Sequence, residues 1–323
     1  MQIGIVGTGR MATARTQSVA KIDGLEVGWI CSRSVEGANA FIEQQDDGLI
    51  PESTRAFGEF ANALGDSEVS AVILTGPNST HYEDVRLAFE AGKNVFVEYP
   101  PAITAKQGAS LMDLARSYRI SYHVGLTYLY GGKHKKIAEL CMGNEELGKP
   151  ISYQHIFCSG NPISRWYNID ELSGGMFIGS LYHYIDEALD YFGDYEAYFA
   201  SYHCKKNDQG IILSDSGSIQ IAFATGCTAQ LCYARGMAKP GIGNKRTIIF
   251  ENGYISEIGD EAIVIHPDRS EKLDEGDRDA VLDDTAAFID EIRAGIILDG
   301  TAEHAQRALV LAEGAQAMVN EGV

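Results

Sequence analysis

The chain opens on Gly4-Ile5-Val6-Gly7-Thr8-Gly9-Arg10-Met11-Ala12, an apolar run that ends in a GxGxxA turn. No other stretch limits the possible folds as tightly. Glycines at 7 and 9 permit a tight turn and let backbone N–H groups approach a pyrophosphate at the N-terminus of the following helix. Ala12 takes the third small position, where helix and strand must pack closely. Glycine turns after strands are common, so the string alone is a weak signal. Here it follows the first strand, opens a helical pattern and precedes a second strand candidate at 26–31. The turn is therefore read as a dinucleotide-binding loop.

The first 124 residues continue in the same texture, with short apolar runs separated by amphipathic segments. Strands are expected at 2–6, 26–31, 70–75, 94–97 and 120–124, and helices at 10–21, 34–45, 79–91 and 104–117, with Thr104 as the last N-cap. This is the α/β pattern of a parallel sheet with crossover helices, so 1–124 is read as a Rossmann NADP-binding domain. After Gly125 longer alternating runs appear at 151–158, 196–204, 217–224, 227–234 and 246–250. Alternation with short connections implies an open, mainly antiparallel sheet. Helices are expected at about 174–192, 279–294 and 302–319, the last with an alanine-rich stripe that must pack against something. Residues 125–323 are thus read as an α+β domain for substrate binding and oligomerisation.

With 323 residues, two domains can each bury a core. No apolar run is long enough to span a bilayer, and a strand beginning at Gln2 leaves no room for a signal peptide, so a cytoplasmic location is expected. The formal net charge of −19 argues against nucleic acid and anionic membranes as partners. It also means that local basic residues must hold any anionic ligand. Clusters at Lys133, Lys135 and Lys136 and at Arg235, Lys239, Lys245 and Arg246 are candidates, although solvated loops are the commoner explanation. The six cysteines form no CxxC pair, which favours scattered reduced thiols over a metal site or disulfides.

The end of the second strand selects the nucleotide. An NAD enzyme would place Asp or Glu there to accept from the ribose 2′-OH. This chain has Cys31-Ser32-Arg33-Ser34. A hydroxyl at Ser32 and a guanidinium at Arg33 suit a 2′-phosphate, and Arg10 can serve the same end. NADPH is the expected cofactor, with NAD disfavoured.

Further on, Thr75-Gly76-Pro77-Asn78-Ser79-Thr80-His81 precedes Ala91-Gly92-Lys93-Asn94-Val95-Phe96 and then Val97-Glu98-Tyr99-Pro100. With the glycine turn, this order resembles the Gfo/Idh/MocA family of dehydrogenases. The resemblance implies that Gly7, Thr8, Gly9, Arg10 and Met11 meet the dinucleotide, and that Thr75, Pro77, Asn78 and His81 line the nicotinamide and its ribose. It places Glu98 near that ribose. Members of the family carry Glu-Lys-Pro where this chain has Glu98-Tyr99-Pro100, so the usual catalytic cation is replaced by Tyr99. A second signature runs from Trp166-Tyr167-Asn168 to Leu181-Tyr182-His183-Tyr184-Ile185-Asp186. His183 matches the family's catalytic helix, while the Asp usually found four residues earlier is Gly179.

Oxidising an alcohol needs a base for the hydroxyl proton and a cation for the developing alkoxide. A tyrosine of ordinary pKa ~10 carries no positive charge at neutral pH, but it can donate a hydrogen bond or a proton. Tyr99 and His183 are therefore the candidate catalytic residues of a reductase acting on a carbonyl or a conjugated system. A narrower resemblance, to biliverdin reductases of the cyanobacterial type, rests on Glu98-Tyr99-Pro100, Leu129-Tyr130-Gly131-Gly132-Lys133-His134, Gly160-Asn161-Pro162-Ile163-Ser164-Arg165-Trp166 and Tyr233-Ala234-Arg235-Gly236. It implies substrate contacts at Tyr128, Arg165, Trp166 and Arg235. A bilin-like substrate and a sugar-like one both remain open, as does a non-catalytic NADP-binding sensor, which would also lack the usual catalytic groups. A homodimer or homotetramer through the second sheet is expected by analogy.

Overall fold

A computed structural model of the chain describes residues 1–46, 48–160, 165–237, 243–259, 261–273, 276, 278–298 and 300–321, with Arg165 described by its backbone alone. The chain runs β1 (Gln2–Val6), α1 (Arg10–Lys21), β2 (Glu26–Cys31), α2 (Val35–Glu43), β3 (Arg55–Phe57), α3 (Phe60–Leu64), β4 (Val69–Leu74), α4 (Asn78–Glu90), β5 (Asn94–Glu98), α5 (Ala105–Tyr118) and β6 (Tyr122–Gly125). It continues through α6 (Gly132–Met142), β7 (Pro150–Gly160), α7 (Asp170–Ser173), a π-helical turn (Phe177–Leu181) and α8 (Tyr182–Phe192). Then come β8 (Tyr195–Lys206), β9 (Ile212–Phe223), β10 (Thr228–Met237), β11 (Asn244–Phe250), β12 (Gly253–Ile258), β13 (Glu261–Ile265) and β14 (Ser270–Lys272). Helices α9 (Ala280–Ala294) and α10 (Thr301–Asn320) complete the chain.

These elements divide into two compact units, Met1–Tyr130 with Arg278–Gln306, and Gly131–Asp277 with Arg307–Val323. The sequence suggested a single cut after 124. In the structure 278–306 belongs with the first unit, because α9 adds Phe288 and Ile289 to the same core as Ile3, Ile5, Val27 and Phe96. An amphipathic helix advertises its apolar face but not its partner, so this return is invisible in the pattern alone.

The first unit is built on a six-stranded parallel sheet in the order β3-β2-β1-β4-β5-β6. The order reverses between β1 and β4, which opens a crevice at the carboxyl ends of the strands. Local sequence sets the helix starts. Ser34 accepts from Gly37 N (3.1 Å) at the head of α2, and Thr104 accepts from Gln107 N (3.2 Å) at the head of α5, as expected. Trp29 is fully buried, and its indole lies where a side chain at Gly4 would stand.

A buried charge cluster ties α9 to this sheet. Arg15, fully buried, donates from Nε to Glu98 (2.8 Å) and from its terminal nitrogens to Asp284 (2.6 Å), Thr127 and Thr285 (both 2.9 Å). His123 sits between Asp284 and Glu291, each 2.9 Å from one ring nitrogen. Burial alone would lower this histidine, but the two carboxylates win and raise its pKa to about 9.

The second unit carries an eight-stranded sheet, β14-β13-β12-β11-β7-β10-β9-β8, antiparallel except where β7 and β10 run parallel. Its inner face is buried through Tyr153, Ile248, Ile255, Leu231 and Ile219. The opposite face exposes Phe199, Ile156, Ile249, Tyr254, Ile258 and Ile263. The expected helix at 174–192 is resolved into a π-helical turn followed by α8. Among the described residues, no helix is long and apolar enough to cross a membrane.

Because folding raises the His123 pKa, its contribution to stability is full below the unfolded value near 6.5 and is lost as pH rises through about 9. Urea midpoints of the wild type should therefore fall between pH 7 and 10 more steeply than those of His123→Gln; parallel profiles would rule out the buried imidazolium. Asp284→Asn, which leaves Arg15 and His123 without their shared carboxylate, should cost about 3–5 kcal/mol in the same assay.

Candidate functional site

In the first unit the glycine turn meets the physical demands on a cofactor loop. Gly7 has φ +111°, and a Cβ there would run into Thr75, whose backbone carbonyl oxygen would lie at 3.2 Å. Gly7 N donates to Cys31 O (2.8 Å), which holds the turn against the end of β2. Gly9 is the N-cap of α1, and the first turn of that helix contains no acidic residue. Its uncompensated N–H groups and its dipole favour an anion. Thr8 and Arg10 are exposed there and Met11 is half-buried.

Ser32 folds back on its own segment, donating from Oγ to Ser34 O (2.9 Å). Arg33 is exposed, like Arg10. Most arginines of this acidic chain are already paired. Among those whose side chains are described, Arg15, Arg55, Arg86, Arg116, Arg235, Arg246, Arg269, Arg278, Arg293 and Arg307 each face a carboxylate. Arg10, Arg33 and Arg119 do not; Arg119 is the C-cap of α5, whereas Arg10 and Arg33 both lie at the crevice end of the sheet.

On the other side of the crevice, Thr75 donates from N (2.9 Å) and Oγ1 (2.8 Å) to Val6 O, binding the loop after β4 to the end of β1. Pro77 is half-buried and Asn78 is buried. His81 is buried, with Nε2 2.9 Å from Gly76 O and Nδ1 2.8 Å from Pro100 O. Tyr99 is half-buried and precedes a cis peptide to Pro100. Glu98, adjacent, accepts from Arg15. Tyr128 lies half-buried in the 3-10 turn Thr127–Tyr130.

In the second unit His183 is the second residue of α8 and is half-buried. Burial lowers its pKa to about 4, the effect of Arg246 and His134 adding to this and that of Glu187 opposing it. Behind it lies a buried polar network that the sequence did not reveal. Glu187 accepts from Tyr153 (2.9 Å) and Tyr191 (3.2 Å) and pairs with Arg246 at 2.9 Å. Burial would raise this carboxyl, but Arg246, His134 and His155 hold it well below the usual range. Burial and Arg246 also push His155 down to about 4.

Arg235 does not present a free guanidinium. It is gripped by both oxygens of Asp215, and its other terminal nitrogen donates to Tyr167 O (2.9 Å) and Ser180 Oγ (3.0 Å). It thereby fixes the turn Arg165–Asn168 and the π-helical turn. Trp166, on that turn, stacks on Tyr167 with centroids 4.0 Å apart. Several members of the basic clusters suggested by sequence are likewise paired, Lys133 with Glu257, Lys136 with Glu139 and Arg246 with Glu187 and Glu257, whereas Lys245 is exposed. Lys239, the 161–164 segment and the Arg165 side chain lie outside what is described.

Beside Arg235, Phe157, Tyr184 and Tyr233 form a half-buried aromatic group. Phe157 and Tyr233 lie 4.9 Å apart, and Tyr184 is 6.1 Å from Phe157 and 6.0 Å from Tyr233. Periodicity marked all three only as strand or helix positions. Their convergence requires the β7–β10 parallel register, which pairs Phe157 with Tyr233.

A doubly wound parallel unit and a unit with an open, mostly antiparallel sheet define a two-part architecture. Residues 1–126 match the model of the oxidoreductase family with an NAD-binding Rossmann fold, and 136–256 match the GFO/IDH/MocA C-terminal domain. The chain belongs to the Gfo/Idh/MocA oxidoreductase family, and its first unit is that family's NAD-binding Rossmann domain. Its fold is similar to that of biliverdin reductase from Synechocystis sp. PCC 6803, solved with biliverdin and NADP+, at TM-score 0.88 and 22% identity over 99% of both chains. It is also similar to a 3-ketoreductase from Actinomadura kijaniata, solved with NADP and TDP-benzene, at TM-score 0.85 and 19% identity over 99% and 98%. Among curated sequences, myo-inositol 2-dehydrogenase from Thermotoga maritima is 21% identical over 99% of this chain and 97% of its own. An uncharacterized oxidoreductase of Streptococcus pneumoniae is 28% identical over 58% of this chain, which spans about half (48%) of that relative.

Gly179, where the family resemblance places an aspartate, is sterically crowded. A Cβ there would lie 2.9 Å from Ser173 O and 3.1 Å from Ser173 Cβ. Gly179→Asp should therefore destabilise the chain by roughly 1–3 kcal/mol, read from urea unfolding, and confer no alcohol oxidation. A stable variant that oxidises inositol would show that the position tolerates the family's aspartate.

Proposed function

We propose that the enzyme is an NADPH-dependent reductase whose substrate is a flat, conjugated, bilin-like molecule. The observation that carries the cofactor half is the pair Arg10 and Arg33, exposed and without a carboxylate partner at the dinucleotide end of a chain of net charge −19. With Ser32 they supply the donors that a 2′-phosphate needs, and no carboxylate ends β2 to favour a free 2′-hydroxyl. Gly7, Thr8, Gly9 and Met11 form the pyrophosphate cradle. Thr75, Pro77, Asn78 and Glu98 border the nicotinamide half. The cofactor, when bound, supplies the hydride.

The chain's own residues then orient the substrate and supply the proton. Tyr99, uncharged in place of the family's lysine, is the candidate donor to the reduced product. His183, with a pKa near 4, is neutral at pH 7 and serves as a hydrogen-bond partner rather than as an acid. Tyr128 and Trp166 are candidate substrate contacts. Arg235, closed by Asp215, shapes the turn that carries Trp166. The half-buried rings of Phe157, Tyr184 and Tyr233 support a conjugated substrate, because such a π-system stacks on aromatic faces. The exposed apolar residues on the outer sheet face support self-association as a homodimer or homotetramer.

The tests are direct. Biliverdin should bleach when NADPH is added, faster than NADPH is consumed with any keto-sugar; stable absorbance over hours, with keto-sugar turnover, would reverse the substrate assignment. No oxidation of bound NADPH with either would favour the sensor. Arg33→Asp should weaken NADPH roughly 10- to 100-fold by calorimetry while changing NADH little. Tyr99→Phe should lower kcat roughly 100-fold or more at unchanged NADPH affinity.

A further inference from the structure

The loops at the carboxyl edge of the first sheet are laced strand to strand. Ser32 N donates to Phe57 O (3.0 Å) and Gly7 N to Cys31 O (2.8 Å), joining β3, β2 and β1. Thr75 N and Oγ1 bind Val6 O and carry the lacing to the loop after β4. His81 makes the next step. From the first turn of α4, its ring spans 2.9 Å to Gly76 O and 2.8 Å to Pro100 O, so one side chain joins the loop after β4 to the turn after β5.

Both partners are carbonyl oxygens, which only accept, so the neutral ring, with its single N–H, donates to one of them while its other nitrogen packs against the second, and only the protonated ring donates to both. Burial lowers the His81 pKa while the two carbonyls raise it, and burial is the larger effect. The ring is 1% exposed and each nitrogen is occupied, so it has no edge left for a ligand. The loops it joins are another matter. Gly76, Pro77 and Tyr99 are half-buried and border the crevice side of the sheet. The strand order reverses between β1 and β4, and the residues that would read the 2′-phosphate follow β2. The adenosine half of a dinucleotide then lies toward β2, and its nicotinamide half toward β4 and β5.

We propose that His81 is a positioning residue for the nicotinamide half of the cofactor. It sets the spacing between the Gly76–Pro77 loop and the Pro100 turn without touching the ligand, a role that rests on the NADPH reading above.

The experiment compares NADPH with 2′-phospho-ADP-ribose, which keeps the adenosine half and lacks nicotinamide. Both are titrated calorimetrically into wild type, His81→Gln and His81→Phe. Glutamine retains one pair of N–H donors and phenylalanine retains only bulk. NADPH should weaken about tenfold in His81→Phe and less in His81→Gln, while 2′-phospho-ADP-ribose stays within about twofold of wild type in both. Equal weakening of both ligands, or unchanged NADPH affinity in His81→Phe, would overturn the proposal. A wild type that binds neither ligand would instead remove the cofactor reading, and this proposal with it. If neither variant folds, hydrogen exchange on wild type decides. The amides of Gly76 and Asn78 should gain protection together with those of Tyr99 and Ala102 on adding NADPH and not on adding 2′-phospho-ADP-ribose. Independent responses of the two loops would overturn the assignment.

Discussion

Arg15 organises the dinucleotide-binding unit. A guanidinium with no exposed surface is costly unless every donor is met, and here the partners come from three separate stretches: Glu98 at the end of β5, Thr127 on the turn after β6, and Val281, Asp284 and Thr285 on α9. The Phe96 ring lies 4.2 Å beneath the cation. No subset of these elements satisfies the arginine alone, so the sheet edge and the returning helix are specified together. Glu98 sits one residue before Tyr99, so the proposed proton donor directly follows a member of the core ion cluster.

The departures from the family pattern form a consistent set. Tyr99 stands where the cation is expected and Gly179 closes onto Ser173 where a carboxylate is expected, while His183, which matches the family, is a weak base with its pKa lowered to about 4. Alcohol oxidation asks for a base and a cation at the same carbon, and the proposed site offers a weakened base at His183 and no cation at Tyr99. Reduction asks only for a donor beside the accepting carbon. The chemistry proposed is what the remaining groups can perform.

Much of this was legible in the sequence. The glycine turn, the five expected parallel strands and the Thr104 cap depend on local pattern, and they stand where the pattern put them to within two residues. The short β3 and α3 escaped because three and five residues carry too little periodicity to register. Roles that depend on partners distant in sequence were the hardest to see. Arg235 reads as a ligand arginine until Asp215, twenty residues earlier, is found against it. His81 reads as a cofactor contact until both of its nitrogens are found on carbonyls. The Glu187 network, drawn from α6, β7, α8 and β11, leaves no sequence signal, since each member alone looks like an ordinary polar residue on an amphipathic element. Arg10 and Arg33 were legible as cations but not as unpaired ones, and pairing is what distinguishes them from most of the other arginines.

The chain has only two tryptophans, and they divide between the units: Trp29 is sealed in the core of the first, and Trp166 is half-exposed against Tyr167 in the second. The buried indole should emit to the blue and resist aqueous quenchers such as iodide. The other should emit to the red and yield to them. Each half of the enzyme thus carries its own optical reporter, and events in one can be followed by fluorescence without labelling the other.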